Sequence, residues 1–201
     1  NLSQADFSDA ELDATDFSSA NLSDANLSKH DLRKVTLDGA DFRRTNLTEC
    51  DFSEMEFKEM TFSKANCSRA NLEGSKFIEC DLSRANFKNA NFKKADLSDS
   101  KLNQGNFYAA DFTDTILIRA QAKGANMAEA TLLNTNLTRA DLAQIDFTDA
   151  TVRNSNLSRT KLSSALFRRT DLEGSNLTEA DLNIADMTAA NLKSTDLSGA
   201  N

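Results

Sequence analysis

Large apolar residues recur at every fifth position from Leu2 to Leu197. Of the 40 residues in that set, 22 are Leu and 13 are Phe, which accounts for every Phe in the chain. The other five are Cys67, Ala122, Met127, Val152 and Met187. Two residues before each large position stands a small one, with 21 Ala, seven Thr and four Ser among the 40. The residue between them is mostly Asp or Asn, and the two that follow the large residue are mixed and polar. The unit reads A-(D/N)-(L/F)-(S/T)-x and repeats without an insertion or a deletion.

A period of five fits neither common element. On an α-helix, each step of one unit advances about 140° net, so the large residues would spread around every side. On a flat strand, odd spacing would throw successive large residues to opposite faces. A chain that turns by a constant angle after every unit, always toward one axis, buries the whole set. Triangular coils of three units and square coils of four both satisfy that geometry. The chain contains no Pro, as expected where backbone N–H groups are needed along a continuous ladder.

The stretches "SRANFKNANFKKADLSDS" and "SNLTEADLNIADM" resemble the pentapeptide repeat family, and the resemblance covers essentially the whole chain. It implies an all-β fold, a right-handed quadrilateral parallel β-helix with four units per coil. About ten such coils then form one continuous solenoid over residues 1–201. Positions 20 apart stack, which places Phe42 over Phe62, Phe57 over Phe77, Phe87 over Phe107 and Phe92 over Phe112. Asn26, Asn46, Asn66, Asn86, Asn106 and Asn126 form one column, whose amides are placed to bond along it. Oversized Val35, Met55, Met60 and Ile145 at the small position predict local swelling. The repeat runs into both termini, so flanking caps or end-to-end dimerisation through uncapped coils are expected. The first residue is Asn and not Met, so a trimmed or processed chain is expected, one that leaves room for a targeting segment outside it. With no address visible, a cytoplasmic setting is favoured.

The formal charge of −8 argues against general binding to nucleic acid or to an anionic membrane surface. His30, Cys50 and Cys80 occupy the small position and Cys67 the large one, so all four read as interior packing. No metal site, cofactor or catalytic group is expected, because carboxylates at the Asp/Asn position serve the repeat and no concave site is foreseen. The N-x-(S/T) triplets are a by-product of the same unit.

Charge carries the functional hint. Residues 1–28 hold six acids and no base, and residues 170–201 hold six acids and one base, Lys193. In the register of four units one outward column reads Glu59, Glu79, Asp99, Arg119, Arg139, Arg159, Glu179, and another carries Arg44, Lys64 and Arg84. The segment "ECDFSEMEFKEM" adds Glu49, Asp51, Glu54 and Glu56 to Glu59. These acids, with Glu79, Asp99 and the outward-facing Ile116 and Ile118, are the candidate partner-binding residues.

Two function classes follow. The first is a non-enzymatic structural or protein-interaction rod, for which the uninterrupted pattern, similar to that of many cyanobacterial family members, speaks. The second is an imitator of duplex DNA that modulates a type II topoisomerase. It follows from the resemblance, since some family members of the quinolone-resistance type bind DNA gyrase. The projecting loops and C-terminal dimer module usual in that group have no counterpart in this sequence. One stretch, "TILIRAQAKGANM", keeps the register but weakens its content, with Ala122 at a large position. It reads either as a joint at 115–126 between segments 1–114 and 127–201 or as a small apolar contact patch around Ile116 and Ile118.

Overall fold

The computed structural model describes residues 1–201 and contains no helix. Every β-bridge joins a residue to the one 20 further along, in parallel, from Asp6 with Asn26 to Asn176 with Asp196. Between one bridged residue and its partner the chain turns four times, once per unit, so the coil is four-sided. Counting from the N-terminus, the first side carries residues 1–5 and those stacked on them, the second 6–10, the third 11–15 and the fourth 16–20.

The hydrogen bonds explain the unit residue by residue. The N–H groups of the large and corner positions donate to the next coil, as Leu22 does to Asp41 O (3.0 Å) and Asp24 to Arg43 O (3.1 Å). The polar position donates back to the previous coil, as Asn26 does to Ala5 O (2.9 Å). The small position closes a β-turn onto the large residue, as Ala25 does onto Leu22 O (3.0 Å). Only the N–H of the Ser/Thr position lacks a backbone partner. The Asp or Asn side chain two residues earlier accepts it, as in Asp6 with Ser8 (3.0 Å), Asn21 with Ser23 (3.0 Å) and Asp111 with Thr113 (3.0 Å). An Asp or Asn is therefore called for once per unit to satisfy the fifth donor.

The corner residue closes the turn with positive φ, the sign pattern of a type II turn. It is adopted by 33 non-glycine residues and five glycines, all at that position. Left-handed backbone costs an L-residue about 1–2 kcal/mol, so the ladder and the buried row together override a local preference at nearly every corner.

Inside, the large residues form one core from Leu12 to Leu177, flanked by half-buried Leu2, Phe7, Leu182 and Met187. Three of the four expected Phe pairs stack, with ring centroids 4.8 Å apart for Phe42–Phe62, 5.4 Å for Phe87–Phe107 and 4.8 Å for Phe92–Phe112. The fourth, Phe57–Phe77, is tilted by 36°. Most Thr and Ser at the small position bury their hydroxyls by donating to the large residue of the coil below. Thr45 donates to Leu22 O (2.8 Å) and Thr135 to Phe112 O (2.8 Å). Ser75 and Thr160 donate instead to the large residue of their own unit (2.7 and 2.6 Å). No buried side-chain polar atom is left without a partner.

Of the four oversized residues, Val35, Met55 and Ile145 close ordinary turns (3.1, 3.2 and 3.1 Å), and only Met60, on the fourth side, departs from the pattern. Met60 and Cys80 do not close their turns, and the chain there straightens into two short strands, β1 (Glu56–Lys58) and β2 (Lys76–Ile78), paired in parallel. Cys80 N instead donates to Ser100 Oγ (3.1 Å). The stretch at 115–127 shows no interruption, since Ile116 N bonds Ala95 O (2.9 Å) and Ala122 N bonds Asp141 O (2.7 Å). Ala122 is fully buried.

Candidate interaction surface

The register distributes the candidate residues around the rod. Glu49 stands on the second side, Asp51 and Glu54 on the third. Glu56, Glu59, Glu79, Asp99, Ile116 and Ile118 share the fourth. The acidic run at 49–59 therefore wraps three sides, and six of the nine candidates meet on one.

Much of the acid is matched one coil further on. Glu49 holds Arg69 through Nε at 2.8 Å, Glu56 holds the Lys76 ammonium, and Asp99 holds Arg119 in a fork of 2.7 and 2.5 Å. The Arg119 hydrogen bond keeps the Asp99 carboxyl below the usual range, and Glu56 raises the Lys76 ammonium. Asp51 accepts from Ser53 N (2.9 Å) and Asn71 Nδ2 (3.1 Å). The Glu54 carboxylate folds across the bare Cα of Gly74, where an added Cβ would collide with Oε1. Glu79 has no cation within 4.0 Å, and Glu59 has only its neighbour Lys58 at 3.4 Å. Of the four acidic candidates on the fourth side, Glu79 alone is thus without a cation, and Glu59 alone pairs only with its sequence neighbour. Ile116 lies one coil beyond Asp96 on that side, 37% exposed, and Ile118 is half-buried, as is Ile78.

The opened corner at Met60 leaves a shallow depression of about 480 Å³ beside Glu59, lined also by Gly39, Asp41, Arg43, Lys58 and Asp81. Oversized Met60 was its only signal in the sequence. Surface-facing chemistry elsewhere is limited. Cys50, Cys67 and Cys80 are buried, and burial pushes the thiols up, Cys50 to about 12 and Cys80 to about 11. His30 is only half-buried, with Nε2 2.8 Å from Phe7 O, and it lines a second depression with Glu11, Asp13 and Asp31. No three His, Cys, Asp or Glu side chains converge to hold a metal ion.

The fold is shared with known proteins. QnrB1, a plasmid-mediated fluoroquinolone resistance protein, is 21% identical, with 88% of this chain and 90% of that chain aligned and a TM-score of 0.61. HetL, a pentapeptide repeat protein involved in heterocyst differentiation regulation from the cyanobacterium Nostoc sp. strain PCC 7120, is 26% identical. That alignment covers 94% of this chain and 90% of that one, with a TM-score of 0.46. No curated protein matches. The profile of pentapeptide repeats matches in eight copies, over residues 1–39, 31–63, 65–104, 106–144, 145–183 and 165–201. With a hydrogen-bonded reason for each position of the unit, that match along nearly the whole chain places it in the pentapeptide repeat family.

Proposed function

We propose that the chain is a non-enzymatic protein-interaction rod whose fourth side presents Glu56, Glu59, Glu79 and Asp99, followed by Ile116 and Ile118, to a protein partner. One observation carries this reading: the register gathers these six side chains into longitudinal rows on one side of a rod with a continuously bonded wall. The reading includes the right-handed sense and the ten-coil length that the resemblance implies. Glu49, Asp51 and Glu54 belong to the neighbouring sides and flank the surface.

A second reading, duplex-DNA mimicry toward a type II topoisomerase, is favoured by the Glu59–Glu79–Asp99 column. The cations interleaved with the other acids weigh against it, because a DNA imitator presents uninterrupted negative charge. Affinity capture from the source cells tests the first reading. A partner held by the wild type and released by Glu59→Lys/Glu79→Lys is expected, and capture of no partner removes the reading. Inhibition or protection of gyrase in a supercoiling assay at micromolar protein would instead select the second.

A further inference from the structure

A different surface carries a further inference. Sixteen of the 23 Lys and Arg residues have a carboxylate within 4.0 Å. Seven do not: Lys29, Lys64, Arg84, Lys88, Lys101, Lys123 and Arg139. Five of those seven fall on the first and second sides within four successive coils, at 61–68, 81–88, 101–108 and 121–128. These segments contain one acid, Asp81, and the remainder of the second side in the same coils adds Glu129 and Arg69, the latter held by Glu49. A protein with a net charge of −8 thus carries a strip in which five cations are uncompensated and only Asp81 and Glu129 are acidic.

The strip has shape as well as charge. Lys64 and Arg84 stand at the corner, next to the amide column of Asn66, Asn86, Asn106 and Asn126, whose side chains bond to one another at 2.9, 3.1 and 3.4 Å. Lys88 lies over the Tyr108 ring, 5.1 Å from its centroid. At the far end the left-handed corner is Gly124, and its missing side chain opens a notch of about 290 Å³. Asn103, Gln104, Gln121, Gln144, Lys123 and Asp141 complete the lining. Asn103 Oδ1 accepts the Lys123 backbone N–H at 2.9 Å, and the Asn103 amino group makes no hydrogen bond within the protein.

We propose that this strip binds an extended acidic segment of a partner protein. It rests on the interaction-rod reading but uses none of the residues of the fourth side. Coils about 4.8 Å apart put Lys64 and Lys123 roughly 14 Å apart along the axis, the length of four or five extended residues. Side chains of such a segment that face the rod set carboxylates against Lys64, Arg84 and Lys101. The terminal carboxylate enters the notch beside Lys123, among four amide side chains and Asp141, whose charge is met by Lys161 at 3.4 Å. The surface suits a narrow ligand. The Glu59–Glu79–Asp99 column runs along one edge of the strip, within a Debye length, and repels the flank of anything as broad as a nucleic-acid duplex.

The test is a fluorescence titration of the whole chain with fluorescein-labelled hexaglutamate at low ionic strength, run beside a labelled short DNA duplex. The triple variant K64E/R84E/K88E is expected to lose at least about tenfold in hexaglutamate affinity. The double variant K29E/R139E, which reverses the two uncompensated cations off the strip, is expected to stay within about twofold. Equal losses in both variants would overturn the inference, as would tighter binding of the duplex than of hexaglutamate. No binding by the wild type, or self-association that the triple variant abolishes, would do the same. Should the triple reversal unfold the rod, K64Q/R84Q/K88Q carries the test, with a smaller loss expected. A cellular partner released by E59K/E79K but captured equally by wild type and triple variant would belong to the fourth side and leave the rod reading standing, and the titration alone then decides the strip. Capture of no partner would remove the rod reading while the titration still decides the strip.

Discussion

The acidic fourth side and the basic strip are built on the same scaffold and differ in how the register treats their charge. On the fourth side, the residue 20 further on is often the opposite charge, so Glu56 meets Lys76 and Asp99 meets Arg119. On the strip, Lys64 is followed by Arg84 and then by Gln104, whose Oε1 accepts from Arg84 Nε at 2.9 Å. A surface of interleaved charges satisfies itself, whereas one of like charges and amides keeps its bonding capacity for something else. Net charge per side therefore says less about binding than the number of cations or acids left without a stacked partner.

The premise that both surfaces ride on one core can be broken first, and with the largest effect. Phe62 stacks on Phe42 at 4.8 Å and meets Phe52, Phe57 and Phe77 edge-on. Phe62→Ala should lower stability by about 3–5 kcal/mol in urea unfolding. Two separate transitions, one per region, would show that the surfaces do not share a core. Acid comes next. Arg33 holds Asp31 down to about 2, and Asp24 and Asp99 are also lowered by their arginines. Carboxyls lowered on folding contribute stability above their unfolded value of about 3.9, and lose it as pH falls through the folded value. The thermal midpoint should hold from neutrality to about pH 5 and drop between about pH 4 and 2. A drop that begins near pH 6 would point to groups other than these pairs.

Within the strip, Asn86 donates to Asn66 (2.9 Å) and accepts from Asn106 (3.1 Å) and from Lys88 N (3.2 Å). Asn86→Ala should cost about 1–2 kcal/mol in the same unfolding assay. It should also raise the hydrogen exchange of the Lys88 amide, and an unchanged exchange rate would mean that water serves as well as the side chain. Ile184 shares the column of Lys64 and Arg84, is 81% exposed and has φ of 59°. A β-branched residue is poorly suited to that conformation, so Ile184→Gly should stabilise by about 1 kcal/mol. A loss of stability would mean that its side chain, and not its backbone, matters. The smallest effect is expected from Arg69→Ala, whose partner Glu49 is solvent-exposed. The change should stay below about 1 kcal/mol and vanish in high salt.

Much of this was legible in the sequence, and the reasons are physical. The period of five dictates a turning chain, because no other geometry buries Leu and Phe at odd spacing. Stacking of Phe92 on Phe112 and of Asn86 on Asn66 follows from the register of four units, and so do the columns of charge. What could not be read was the choice among competing partners. Arg33 bonds Asp31 two positions away, at 2.6 Å, whereas Arg69 crosses to the previous coil. In the Asn column, Asn66 skips Asn46 and donates to Thr48 Oγ1 at 2.9 Å, with Thr48 relaying to Asn46 at 2.7 Å. Such choices depend on small differences in side-chain reach, which composition does not encode. The wrapping of the run at 49–59 around three sides follows directly from one unit per side, and it separates acids that look adjacent in the sequence.

The unit of five and the register of 20 are different kinds of constraint on how such a chain can evolve. Deleting one unit leaves every remaining side chain in a slot of the right size, so folding tolerates it. Everything downstream, however, rotates by a quarter turn relative to what precedes. A row of acids would then continue as a row of whatever occupied the neighbouring side. Only changes of four units at a time preserve both the core and the alignment of the surface. Fifteen-base and sixty-base insertions in the gene are thus equally silent for the fold, but only the longer one is silent for a partner that reads along the rod.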